Sequence, residues 1–159
     1  MALEEKDQWL PYYYASYCTV SLALELANPD EIGILAKKAE DLLNSADSLS
    51  PKNSEISCLK SLIATAYLIS DPMEGGYKYG SLISSTLNDA EQEDPLNPRV
   101  SYLPAQSLTY MPPQYGGGYD KAKRKLEIAL EKYNSFIPEK EYYPNWGKNE
   151  TIALLKGSI

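Results

Sequence analysis

The sequence predicts an all-α protein of about seven helices built from repeated helix pairs, and three observations predict it. Apolar residues recur at spacings of three and four, as Ala122, Leu126, Ala129, Leu130 and Tyr133 do, which is the stripe of a helix packed on its neighbours. No segment alternates apolar and polar residues long enough to argue a strand. One pattern also returns: Ala39, Leu43, Ala46, Pro51; then Ile83, Leu87, Ala90, Pro95; then Leu126, Leu130, Tyr133, Pro138. Each set has spacings of four, three and five, and the prolines stand 44 and 43 residues apart. Three sets in register mark a duplicated helix pair.

Taken in order, residues 9–26 open with Tyr12, Tyr13, Tyr14 and Tyr17 and close with Leu22, Leu24 and Leu26, predicting a mostly buried helix with Pro11 in its first turn. Asn28-Pro29-Asp30 breaks the chain. Asp30 and Glu31 then place negative charge at the start of a second helix running to about Leu49, where Ser50-Pro51 ends it. A third helix starts near Ser54, capped by Asn53 or Ser54. Its Ile56, Leu59, Leu62, Ile63, Ala66, Tyr67 and Ile69 cover nearly all sides, so it should be the central one.

The loop from Asp71 to Gly76 leads to a fourth helix at about 77–91, which closes at Asp94-Pro95. A fifth starts at Pro98 and contains Pro104, which should kink it. Met111-Pro112-Pro113 and Tyr115-Gly116-Gly117-Gly118 precede the sixth, for which Asp120 is the expected cap. A short seventh follows at 146–156. The layout is one domain over residues 1–159, with units at 9–51, 52–95 and 96–138 and a terminal helix at 145–156.

Composition narrows the chemistry. Fifteen basic against 22 acidic residues give a net charge of −7, which repels nucleic acid and anionic membranes at long range. No apolar run approaches the ~20 residues of a membrane span, and Met-Ala-Leu-Glu-Glu-Lys lacks the layout of a signal peptide. There is no histidine, so imidazole bases and most zinc sites are excluded. Cys18 and Cys58 cannot make a disulfide framework; each lies among apolar helical residues, where a small buried thiol is expected.

The motifs that carry chemistry elsewhere fall short here. A phosphate-binding loop needs lysine and a hydroxyl after its last glycine, whereas Tyr119 and Asp120 follow Gly118. The glycines are instead expected to permit a tight turn between packed helices. Asp89, Glu91, Glu93 and Asp94 lack the glycine and distant glutamate of a calcium loop, which predicts a solvated helix end. Asn149-Glu150-Thr151 fits a glycosylation sequon, a pattern short enough to arise by chance. A carboxylate hydrolase would need two acids ~5–9 Å apart in a cleft. The expectation is a protein that is not an enzyme, with no catalytic residue, metal or cofactor. Fourteen tyrosines against one phenylalanine stand out, because tyrosine serves both packing and recognition surfaces.

The run Ala39, Leu43, Ala46, Pro51 resembles the second helix of a tetratricopeptide repeat. More narrowly, Asn97-Pro98-Arg99-Val100, Met111-Pro112, Tyr115-Gly116-Gly117-Gly118 and Pro144-Asn145-Trp146-Gly147 resemble elements of uncharacterised bacterial tetratricopeptide-like proteins. The period here exceeds the usual ~34 residues. The resemblance implies a right-handed solenoid of helix pairs whose first helices line a concave groove. It also implies a periplasmic or secreted location.

In such a stack Lys60, Tyr67, Arg99, Tyr102 and Gln106 are the groove candidates. Arg99 would fork to a partner's carboxylate, or hold an acid such as Glu91 or Glu93 of its own chain. The function so implied is non-enzymatic binding of a peptide or partner protein in the concave face. The alternative is a small-molecule binding protein of an exported bacterial system, with a tyrosine-lined pocket near the glycine loops.

Overall fold

Helices joined by connectors as short as Leu26–Asn28 fold back on one another, and that is how this chain is built. The computed structural model describes residues 7–73 and 75–157, so the amino-terminal residues read above for a signal layout lie outside it, as does Glu74. Among the described residues there are seven α-helices and no strand: α1 Leu10–Glu25, α2 Pro29–Leu49, α3 Ser54–Ser70, α4 Gly76–Glu93, α5 Pro98–Tyr110, α6 Tyr119–Ser135 and α7 Lys148–Leu155. The chain divides into two units between Glu93 and Asp94.

In the first unit, asparagine starts both α2 and α3. Asn28 Oδ1 accepts from the Asp30 amide and Asn53 Oδ1 from the Glu55 amide, each at 3.0 Å, which satisfies amides that the helix itself cannot. The buried face of α2 is Ile32, Ala36, Ala39, Leu43 and Ala46, whose alanines let neighbouring backbones come close. The Ser16 hydroxyl of α1 is buried there and donates to the Ala39 carbonyl at 2.7 Å. Ten residues of α3 are buried, because α1, α2 and α4 all pack on it; the nearly all-round apolar pattern places it at the centre, as expected. Lys60 of α3 meets Asp47 of α2 at 2.8 Å, Tyr67 meets Glu40 at 3.0 Å, and Ser70 lies against Gly33. Those pairs run α2 and α3 antiparallel, so the α1–α2 and α3–α4 connectors share one end of the unit.

The second unit pairs α5 with α6 and adds α7. Asn97 caps α5 through the Arg99 amide at 3.0 Å, and α5 continues through Pro104 to Tyr110. Three expectations need correction. Asp120 does not cap α6: Gly118 is the N-cap residue, at φ 111°, and Asp120 sits in the first turn. The last helix starts at Lys148 rather than at Trp146, with Gly147 at φ 102° before it. And Cys18, expected as a small buried thiol, is exposed, whereas Cys58 is buried as expected.

Candidate functional site

Two of the sequence elements that pointed to a family meet inside the second unit. The Arg99 side chain is fully buried, its Cζ 5.0 Å from the Trp146 ring, 5.3 Å from Phe136 and 5.9 Å from Tyr133. Tyr102 stacks edge-on to Tyr133 and Trp146, at 6.4 and 6.3 Å between centroids. The Tyr133 hydroxyl donates to the Trp146 carbonyl at 3.0 Å, and the Glu150 carboxylate accepts from the Gly147 amide at 3.1 Å. A guanidinium on three ring faces is a desolvated cation–π arrangement. It closes the segment after α6 onto the helix pair. Thr151 is buried and donates to the Gly147 carbonyl at 2.6 Å, so the hydroxyl of the short sequon belongs to this interior.

This accounts for two of the groove candidates. Arg99 and Tyr102 come together, but in the interior, where neither meets solvent. In the first unit, Lys60 and Tyr67 lie on the α2-facing side of α3, each engaged by an acid of its own chain, Asp47 and Glu40 respectively. Gln106 is half-buried on α5. Tyr67 also stacks on Tyr79 of α4, centroids 5.1 Å apart and planes 13° apart. Burial, and then the hydrogen bond to the Glu40 carboxylate, push its phenol above the ordinary tyrosine range.

The exposed aromatic and thioether groups stand elsewhere, at the connectors. In the first unit Ile69, Met73 and Tyr77 surround the α3–α4 connector, Met73 exposed by 93% and Tyr77 by 91%. Beside them the Tyr79 ring lies against Gly75, where an added Cβ would come within 2.5 Å of it. A shallow depression open to solvent runs from Gly76 and Tyr77 along Gly80, Ser81 and Ser84 of α4.

In the second unit Tyr110, Met111, Tyr115 and Tyr119 surround the α5–α6 connector. A single 3-10 turn, Pro113–Tyr115, presents Tyr115 with 75% of its surface in solvent. The three glycines behind it are backbone devices. The Gly118 amide donates to the Leu108 carbonyl at 2.8 Å and Gly116 has φ 92°, while a Cβ on Gly117 would collide with the Met111 carbonyl. These exposed aromatic and thioether groups make the two connector ends the candidate binding surfaces. The sequence hinted at them only through methionine and tyrosine beside Pro and Gly. Among the described residues no group of acids and cysteines could hold a metal ion, and no helix is long and apolar enough to cross a membrane.

Fold and surface together define an all-α protein of helix pairs with aromatic connector ends. Among solved structures it is similar to the HusA haemophore from Porphyromonas gingivalis, with 39% identity and a TM-score of 0.78 over 94% of this chain and 74% of that one. The chain belongs to the family of that haemophore. No family model matches the sequence, and neither does any of the curated proteins compared.

Proposed function

We propose that this protein binds haem or a closely related tetrapyrrole, holding the flat macrocycle against the exposed side chains of one connector end, either Met73 and Tyr77 in the first unit or Tyr110, Met111 and Tyr115 in the second. The observation that carries the reading is the 39% identity to a haemophore across nearly the whole chain. It favours the small-molecule alternative over peptide binding in a concave face. The surface chemistry fits as well. Tyr77, Tyr110 and Tyr115 offer exposed ring faces and Met73 and Met111 polarizable thioethers, both suited to a broad aromatic ligand.

With no histidine in the chain, an iron ligand from the protein would come from tyrosine, methionine or cysteine. Tyr67 is a poor one, since its raised ionisation keeps it protonated and donating to Glu40. The proposal is therefore of a carrier rather than an enzyme. A periplasmic or secreted location suits that role. We also propose that the helix pairs stack as in tetratricopeptide proteins, on the strength of the 43–44-residue period; small-angle scattering would distinguish such a curved stack from an extended pair of units.

Haem titrations of two double variants test the site. Met73→Ala/Tyr77→Ala probes the first unit and Tyr110→Ala/Tyr115→Ala the second. Each lost ring contact is worth about 0.5–1.5 kcal/mol, or a two- to tenfold loss of affinity per residue. Haem affinity unchanged in both variants would remove the connector ends from the site.

A further inference from the structure

The two connector ends differ in charge. Residues 70–79, around the first, hold Asp71 and Glu74 against Lys78, whose ammonium lies over the Tyr79 ring, 5.0 Å from its centroid. Residues 110–119, around the second, carry no charged side chain, and Asp120, Lys121, Lys123, Arg124 and Lys125 follow directly. Four of the chain's 15 basic residues thus stand within five positions of a protein whose net charge is −7. All four are exposed.

The turn of α6 sorts these charges. Its buried stripe is Ala122, Leu126, Ala129 and Tyr133. At about 3.6 residues per turn, Lys121, Lys125 and Lys132 fall on one side of that stripe and Asp120, Lys123 and Glu127 on the other, with Arg124 and Glu131 on the outer face. Lys132 is engaged at the far end, donating to the Pro95 carbonyl at 3.0 Å. Among the described residues no carboxylate pairs with Lys121 or Lys125. The Lys121 ammonium reaches back to the connector and donates to the Gly116 carbonyl at 3.1 Å, one residue from the exposed Tyr115. A cation is thereby held at the edge of the aromatic end.

We infer that the second unit's connector, rather than the first's, takes the tetrapyrrole, and that Lys121 and Lys125 bind its carboxylates; the inference rests on the haem reading above. Haem is a flat apolar ring with two carboxylates on one edge, so its site needs exposed ring faces with acid-free cations beside them. Tyr110 and Tyr115 supply the faces. Lysines four apart on a helix are neighbours, about 5–6 Å between their Cβ atoms, and two such ammonium groups suit two carboxylates carried side by side. An acidic chain repels a dianion at long range, and a basic flank at the landing place offsets that repulsion. The ligand class is therefore a tetrapyrrole with free carboxylates, not any flat apolar ring.

Absorption titrations of the full chain with haem and with haem dimethyl ester, in the same detergent and buffer, are the test. The expected result is that haem binds roughly three- to tenfold tighter than the ester, since exposed ion pairs contribute modestly, and that the gap closes as salt is raised toward ~1 M. Lys121→Gln/Lys125→Gln weakens haem binding by the same factor and leaves ester binding, circular dichroism and melting temperature unchanged. Lys123→Gln, on the other side of the buried stripe, alters neither affinity. Equal affinity for the two forms, or a preference that survives the double substitution, overturns the role of these lysines while haem binding itself stands. A wild-type protein that takes up neither form removes the haem reading, and this inference with it.

Discussion

Replacing Gly147 with alanine should be among the most damaging single-methyl changes in this protein. Its φ of 102° lies where a side chain costs about 1–2 kcal/mol. The new Cβ would also collide with the Tyr133 hydroxyl, with the Tyr102 ring 3.4 Å away. Tyr133 must then move, weakening its 3.0 Å hydrogen bond to the Trp146 carbonyl, worth about 1 kcal/mol. Overpacking adds about 1–3 kcal/mol. Because these terms overlap, the expected loss is about 3–5 kcal/mol. At about 2–4 °C per kcal/mol for a chain of this size, the melting temperature falls by roughly 6–20 °C. Thermal unfolding followed by circular dichroism reads it, with Gly76→Ala as control because an added Cβ there meets nothing within 4 Å. A Gly147→Ala protein melting within about 3 °C of the wild type would refute the close approach of Gly147 and Tyr133.

Gly117→Val should destabilise by about 2–4 kcal/mol, since the clash is with the Met111 backbone carbonyl; denaturant midpoints would show it. Arg99→Lys should cost about 1–3 kcal/mol despite keeping the charge, because an ammonium cannot lie flat on Tyr133, Phe136 and Trp146. An unchanged urea midpoint would argue against that ring cage. The raised Tyr67 ionisation contributes stability that is complete below the ordinary tyrosine pKa of about 10 and is lost as pH rises toward the folded-state value. Wild-type melting temperature should therefore drop more steeply above pH ~10 than that of Tyr67→Phe, and parallel profiles would count against the shift.

The helices were legible because their signals are local. Asn28, Asn53 and Asn97 each precede a helix they cap, and the periodic apolar positions Ala39, Leu43, Ala46, Leu126 and Tyr133 are buried. What failed was what depends on neighbours. Arg99 was a groove candidate because it stands on a first helix, which lines the groove in a tetratricopeptide-like stack, and nothing local tells that rings 34 to 47 residues later close over it. Asp120 has the chemistry of a cap, yet Gly118 takes that place because its φ of 111° is closed to other residues. The apolar run of α1 could not say which of its flanks is covered. The connector tyrosines were expected only as a group near the glycines, since periodicity is silent in loops. Their exposure is a property of the fold.

The measurement that bears most directly on the account is titration of the wild-type protein with haem, followed by the absorption spectrum and by thermal melting. Binding predicts a saturable change in the Soret band. It also predicts a melting temperature that rises with haem, since ligand at 100 times its dissociation constant adds about 2.7 kcal/mol, or roughly 5–10 °C here. An absorption that only adds the spectrum of free haem, with melting unmoved at excess ligand, would contradict it.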